Sequence, residues 1–256
     1  MKLLKKIFKI GPKKEDKIEI WADVPGLVDV IPVQESSYFM PDWFLKTPRW
    51  SEKHEYTKTN ISERTDQGQT IKQCPAISEF MNMGITIPLW CDLKVKINDD
   101  GRAEWSAPQN TNFFFGNHGE DQFADYLPQY AKPTLVLKPV CPWRIKTPPG
   151  VLLLQLPMFW HFNPIFTVAT GVIWNEFHHE INQQMMFHKK GEFILQQGTP
   201  LAQYIPIRRE TFNYDIGDGT AEQKLLDQQS WMKTQLKFRG GYSQHIKKLK
   251  KCPHHN

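Results

Sequence analysis

The sequence predicts a mainly-β protein with short N-terminal helices and a C-terminal basic helix. Nineteen prolines against fifteen glycines argue against a helical bundle, because proline breaks helix interiors and central strands. Many short runs alternate apolar and polar residues, which is typical of strands. Sixteen Phe and nine Trp can supply a large buried area. We expect one β-rich domain at 18–220, a basic tail at 1–17, and a basic helix and tail at 221–256.

The N-terminal part is expected to mix strands and short helices. Alternation favours extended segments at Ile18–Ala22 and Val28–Pro32. Pro41 suits the first turn of a helix over Asp42–Lys46. The apolar stripe of Ala76–Met83 predicts a core-packing helix, and the glycine after it suits the helix end. The polar stretch 51–69 is expected to form a surface loop.

The rest of the chain reads as a series of strands before one long helix. Leu89–Ile97 alternates throughout, and Asn98–Gly101 is a hairpin turn signal. Further strands are predicted at Arg102–Ser106, Thr134–Lys138, Trp143–Thr147, Val151–Leu156, Ile165–Ile173, Ile181–Met186, Glu192–Leu195 and Leu201–Ile207. Ala221–Phe238 is the long helical segment.

Charge and cysteine content narrow the setting. The formal net charge is +5, and lysines crowd both ends of the chain. These tails are either solvated or in contact with phosphate on nucleic acid or a nucleotide. Residues 1–10 are either a frayed terminus or a short amphipathic helix that touches a membrane or a partner. We expect no signal peptide and no membrane span. The four cysteines lack C-x-x-C spacing and fit a reducing compartment.

Two segments of the C-terminal half carry a family resemblance. Gly171–Phe177 reads G-V-I-W-N-E-F, and Phe193–Gln203 reads F-I-L-Q-Q-G-T-P-L-A-Q. They resemble the third and fourth motifs of the dUTPase/dCTP-deaminase superfamily, G-V-I-D-x-D-Y and F-x-I-x-x-G-x-R-I-A-Q. The resemblance implies a β-clip, dUTPase-like barrel and, by analogy, a trimer. Gly198 would then turn with positive φ, and Gln203 would offer its amide to phosphate or to a neighbouring strand.

The departures from these motifs put hydrolysis in doubt. Trp174 stands where the family has its water-activating aspartate, and Glu176 stands at the second aspartate. Leu201 replaces the motif arginine, and Leu156–His161 has neither the Arg nor the Ser of the family's Arg-Ser-Ser motif. Losing a general base typically costs about 10²–10⁴ in rate. A fold can survive that loss, so the resemblance implies a non-hydrolysing relative.

The whole chain also resembles an uncharacterised family common in tailed-phage genomes. The resemblance rests on Phe39–Phe44, Lys72–Pro75, Gly84–Pro88 and Trp143–Gly150. It implies a viral context, with the protein in the host cytoplasm or in the virion, and a nucleotide or a phage structural protein as partner. It implies no activity.

The sequence is compatible with several kinds of site. The candidate ligand-binding residues are Trp160, His161, Gly171, Trp174, Asn175, Gly198, Gln203 and Arg239. Aromatic rings and an amide could stack on and read a base, although Trp174 could equally fill the emptied pocket as core. The candidate catalytic residues are Glu176 and Asp92, which with Mg would make a nucleotide pyrophosphatase or deaminase.

A metal enzyme is a further alternative. His161, His178, Glu180 and His188 could converge in a barrel and hold a metal as in cupins. The cupin spacing H-x-H is absent, however, and neighbouring strand residues point to opposite faces. The sequence also has no G-x-S-x-G and no P-loop. The favoured hypothesis is a phage-encoded, non-hydrolysing, dUTPase-like binding or assembly module with no firmly expected cofactor.

Overall fold

The computed structural model of the protein describes residues 17–51, 70–116 and 127–235. The chain divides into two compact units, Met1–Arg209 and Glu210–Asn256. The first unit is mainly β, with antiparallel sheets and short helices, as the sequence predicts. The division into a domain at 18–220 and flanking tails stays a prediction.

Three short helices precede most of the sheet strands. Strand β1 is Glu19–Ala22, and helix α1 is Leu27–Val30. The extended segment expected at Val28–Pro32 is therefore wrong. Gly26 takes a left-handed conformation, with φ 78°, and starts a single turn that buries Leu27 alone. Only one of the four residues of α1 is buried. The sequence therefore has no repeated apolar spacing that would predict this helical turn.

The next two helices match their predictions. Helix α2 is Asp42–Lys46, and helix α3 is Pro75–Asn82. Gly84 follows α3 with φ 67°, as expected for a glycine at a helix end. Strand β2, Gln34–Glu35, lies between α1 and α2. The loop predicted at 51–69 lies, apart from residue 51, outside the described residues.

The first unit contains a five-stranded sheet. Its order is β10-β8-β14-β3-β2, with β3 at Ile85–Pro88, β8 at Val151–Pro157, β10 at Gly171–Ile173 and β14 at Pro200–Arg208. Strands β8 and β14 pair from Val151↔Arg208 to Pro157↔Ala202. Residues on both strands contribute to the core, among them Leu153, Leu201 and Tyr204.

A six-stranded sheet is organised around one long strand. Strand β7, Leu135–Lys146, joins the two strands predicted at Thr134–Lys138 and Trp143–Thr147. Pro139 and Pro142 lack N–H donors, but the Pro142 carbonyl still accepts a hydrogen bond from the Asp23 N–H. Strand β7 pairs with β1, β6 (Phe115–Gly116), β11 (Glu180–Asn182) and β12 (Met185–Phe187). Strand β12 also pairs with β9 (Phe166–Val168).

A three-stranded sheet, in the order β13-β4-β5, completes the unit. Strand β4 is Leu93–Ile97, β5 is Ala103–Ser106 and β13 is Gly191–Leu195. The predicted hairpin is confirmed, with Ile97 opposite Ala103. The predicted start at Leu89 is wrong, because residues 89–92 leave the sheet. The Leu89 N–H donates to the Thr199 carbonyl, and Trp90 and Cys91 are both buried.

The second unit contains helix α4, Ala221–Gln235, within the predicted helical segment. In the described part of the chain, no helix is long and apolar enough to cross a membrane.

Candidate functional site

The two candidate catalytic carboxylates lie at opposite ends of strand β14. Glu176 Oε2 accepts a hydrogen bond from the Gly150 N–H at 3.1 Å, and the Gly150 carbonyl accepts from the Arg209 N–H just beyond β14. Asp92 Oδ1 accepts from the Gln197 N–H at 2.8 Å, in the turn that precedes β14. Since a strand rises about 3.3 Å per residue, the two ends are roughly 25 Å apart.

Both carboxylates are therefore engaged with backbone donors, each at its own turn. Glu176 holds the turn between β7 and β8, and Asp92 holds the turn between β13 and β14. The structure does not bring them into one site.

Trp174 lies beside a cleft that we call the amide cleft. This cleft has a volume of about 340 Å³ and is lined by Gln155, Ala169, Thr170, Gly171, Val172, Ile173, Trp174, His178, Asn182 and Gln184. The Trp174 side chain is 43% exposed, and the Arg209 guanidinium lies 5.0 Å from the centre of its ring. The ring is therefore a surface feature at this cleft and does not fill the core.

The polar side chains around this cleft differ in whether they already form hydrogen bonds within the protein. Gln155 is buried, and its Nε2 donates to the Ala169 carbonyl at 2.9 Å while its Oε1 accepts from the Tyr204 hydroxyl at 2.9 Å. In the described part of the chain, the side chains of Thr170, Asn182 and Gln184 make no hydrogen bond, so they are free to bind a ligand. These three cannot be identified from the sequence, because nothing in a short β-segment distinguishes a polar side chain that lines a cleft.

Asn175 cannot contact a ligand in this conformation. It is fully buried, and its Nδ2 donates to the His178 carbonyl at 3.2 Å. It stabilises the turn that carries Trp174. Gly171 lies on the edge strand β10 at the amide cleft and has ordinary φ, with open space around it.

A second, larger cleft, the aromatic cleft, has a volume of about 580 Å³. The loop 157–167 forms one wall, and residues 194–201 form the other. Phe159 and Phe162 are each 61% exposed at its rim, and Ile194 is 69% exposed. Among the described residues, no Lys, Arg, Asp or Glu side chain lines this cleft.

Trp160 and His161 fix the loop of the aromatic cleft to the N-terminal segment. The Trp160 carbonyl accepts from Trp43 Nε1 at 2.8 Å, and His161 Nε2 lies 2.6 Å from the Phe39 carbonyl. Burial lowers the pKa of His161, so the imidazole is neutral near pH 7 and donates from Nε2. Both residues hold the loop, although His161 also lines the cleft.

Gly198 and Gln203 have structural explanations here. Gly198 has φ 86°, which confirms the expected turn. Gln203 Nε2 donates to the carbonyls of Phe80 and Met83, at 2.8 and 2.7 Å. The two carbonyls lie at the C-terminal end of α3, where the Phe80 carbonyl also accepts from the Met83 N–H at 3.2 Å and Met83 is the capping residue. Arg239 lies outside the described residues.

The four candidate metal ligands do not converge. His161 contacts Phe39, His188 Nε2 lies 2.9 Å from Thr167 Oγ1, and His178 Nε2 lies 3.6 Å from Glu180 Oε2. Glu180 also lies 3.9 Å from the Arg144 guanidinium. In the ranges that the structure describes, no group of three or more His, Cys, Asp or Glu side chains is arranged to hold a metal ion.

No protein-family model matches the sequence, and no curated protein matches it. Among solved structures, the native dUTPase of EIAV aligns with a TM-score of 0.31 and 12% sequence identity, over 53% of this chain and 83% of that chain. This likeness is weak.

Proposed function

We propose that this protein is a non-hydrolysing binding module. One observation carries the proposal: Trp174, not a carboxylate, faces the amide cleft, while Glu176 and Asp92 are used to hold separate turns about 25 Å apart. A general base must lie within about 2.6–3.2 Å of the proton that it removes, or reach it through one water. Glu176 and Asp92 do not line the same cleft, so the two carboxylates offer no shared site for activating water.

The amide cleft fits a planar ligand with hydrogen-bonding edges, such as a nucleobase. The exposed face of Trp174 offers a stacking surface, and stacking is worth about 1–3 kcal/mol per base. The free side chains of Asn182, Gln184 and Thr170 can donate and accept hydrogen bonds at its edge. Arg209 supplies a positive charge beside the ring, which suits an attached phosphate.

Calorimetry with nucleotides tests this proposal. Each deoxynucleoside monophosphate is titrated into the protein and into the Trp174→Ala variant. We expect one nucleotide to bind in a saturable manner, and the variant to bind it about ten- to hundred-fold more weakly, since it loses the stacking surface. Tyr130→Ala is the matched control, because Tyr130 is 93% exposed and lines neither cleft. Equal affinity in wild type and Trp174→Ala would remove the amide cleft as the site.

The β-clip architecture, the trimer and the viral setting belong to the same proposal. They rest on the motifs at Gly171–Phe177 and Phe193–Gln203 and on the resemblance to a tailed-phage family. Mass spectrometry of purified particles tests the virion role, and absence of the protein at structural copy number would exclude it.

A further inference from the structure

Trp174 and Phe177 are the first and last residues of one tight turn, and both side chains are exposed. The Phe177 N–H donates to the Trp174 carbonyl at 3.4 Å, so the two Cα atoms lie within about 7 Å of each other. Trp174 lies at the amide cleft, and Phe177 is 77% exposed. The turn therefore presents two neighbouring aromatic rings to solvent.

Hydrogen bonds hold this turn against the turn between β7 and β8. Asn175 is buried, and its Nδ2 donates to the His178 carbonyl at 3.2 Å. The Thr147 N–H donates to the Asn175 carbonyl at 3.4 Å, and the Gly150 N–H donates to Glu176 Oε2 at 3.1 Å. A surface that is fixed before its ligand arrives loses less conformational entropy on binding.

The charges beside the rings suit one phosphate group better than three. The Arg209 guanidinium lies 5.0 Å from the centre of the Trp174 ring. Two carboxylates are also close: Glu176 belongs to the same turn, and Glu180 Oε2 lies 3.6 Å from Nε2 of His178, which lines the amide cleft. These carboxylates would repel a triphosphate tail, whereas a polynucleotide brings one charge with each base.

Aromatic rings and positive charge continue beyond the turn. Trp21 on β1 is partly exposed, and its ring centre lies 5.4 Å from that of His179, the residue next to His178. Residues 1–17 contain seven lysines, and this segment enters the described structure at Lys17, two residues before β1. The formal net charge of the chain is +5. Exposed rings together with positive charge are the features that bind single-stranded nucleic acid.

We propose that the amide cleft and its turn bind single-stranded nucleic acid. One base stacks on Trp174, its neighbour stacks on Phe177, and a phosphate of the strand lies at Arg209. The inference rests on the nucleotide binding proposed above and names the class of ligand that carries the nucleotide. A strand reaches both rings, whereas a free nucleotide stacks on only one of them.

Fluorescence anisotropy with a labelled DNA strand of mixed sequence is the first measurement, with the RNA strand of the same sequence beside it. We expect at least one of the two strands to bind about tenfold or more tightly than any mononucleotide, because a second base is stacked. The DNA duplex of that sequence is the matched control, since its bases are already stacked on each other. Duplex binding as tight as that of both single strands would assign the affinity to charge alone and overturn the proposal.

Two ring variants and a charge variant locate the strand. We expect Trp174→Ala and Phe177→Ala each to weaken strand binding about tenfold, while Tyr130→Ala leaves it unchanged. All three side chains are exposed, so we expect equal melting temperatures. Arg209→Gln should reduce the slope of log affinity against log salt by about 0.7, which is the effect of one phosphate contact with a single strand. An unchanged slope would remove Arg209 as that contact and contradict the proposal.

The variants also separate this inference from the proposed function. Mononucleotide binding that Trp174→Ala weakens, together with strand binding that Phe177→Ala leaves unchanged, would overturn this inference and leave the proposed function intact. If neither the mononucleotides nor the strands bind, both fail. A deoxynucleoside triphosphate that competes better than the strand would also overturn this inference, because it would show that the cleft accepts the repelled phosphate tail.

Discussion

Tyr204 and Gln155 form a buried polar pair at the centre of the five-stranded sheet. The Tyr204 hydroxyl donates to Gln155 Oε1 at 2.9 Å, and Gln155 Nε2 donates to the Ala169 carbonyl. Burial raises the pKa of Tyr204 well above its usual range, so the hydroxyl keeps its proton at neutral pH. The pair fixes the orientation of a glutamine that lines the amide cleft.

We predict that Tyr204→Phe lowers the free energy of unfolding by about 1–3 kcal/mol, because Gln155 Oε1 is left buried without its donor. Urea denaturation of both proteins measures the difference. Tyr130→Phe is the control, since Tyr130 is almost fully exposed and should change stability by less than about 0.5 kcal/mol. Equal effects of the two substitutions would mean that the Tyr204 hydroxyl contributes nothing.

The chemistry of single residues could be predicted only in part. The positive φ of Gly198 follows from its turn position and is confirmed. The role of Gln203 was left between phosphate and a neighbouring strand, and its partners are the carbonyls of Phe80 and Met83. These partners lie more than a hundred residues away in the chain, and no local pattern indicates such a contact.

At the scale of elements, the junction between α3 and β14 depends on Gly84. A Cβ atom at this position would lie 2.0 Å from the Tyr204 carbonyl oxygen, which is a backbone atom that cannot turn aside. Its φ of 67° adds the cost of a left-handed conformation, about 1–2 kcal/mol for a residue with a Cβ.

We therefore predict that Gly84→Ala costs more than about 3 kcal/mol of unfolding free energy or prevents folding, since strain and a backbone clash combine. Gly101→Ala is a matched control, because Gly101 has φ 85° with open space around it and should cost only about 1–2 kcal/mol. Chemical denaturation of the two variants gives the comparison. Similar losses in both would show that the contact with Tyr204 relaxes without cost.

Helices and strands could be predicted where a local sequence pattern determines them. Helix α2 and the β4–β5 hairpin match because a Pro just before the helix and an Asn-Asp-Asp-Gly turn act locally. The predicted strand at Ile165–Ile173 is wrong in that it divides into β9 and β10, which belong to different sheets. A short β-segment carries no signal for which sheet it joins, and tertiary pairing decides it.

At the scale of the whole molecule, the length of β14 determines the distance between the two candidate catalytic carboxylates. The sequence could identify Glu176 and Asp92 as candidates, but not that a nine-residue strand separates their turns. The two clefts also escape prediction, because their walls come from segments that are adjacent only after the sheets form. Trp174 could be predicted as a departure from the dUTPase-like motif, and its exposure beside Arg209 needed the structure.

The central claim is that the protein binds without hydrolysing, and a turnover assay tests it most directly. The protein is incubated with each deoxynucleoside triphosphate and magnesium, and pyrophosphate release is followed beside Glu176→Gln and Asp92→Asn variants. We predict no release above the uncatalysed rate in any of the three proteins, because both carboxylates are engaged with backbone N–H groups at separate turns. Turnover by the wild type that Glu176→Gln abolishes would contradict the claim and would make this protein a hydrolase.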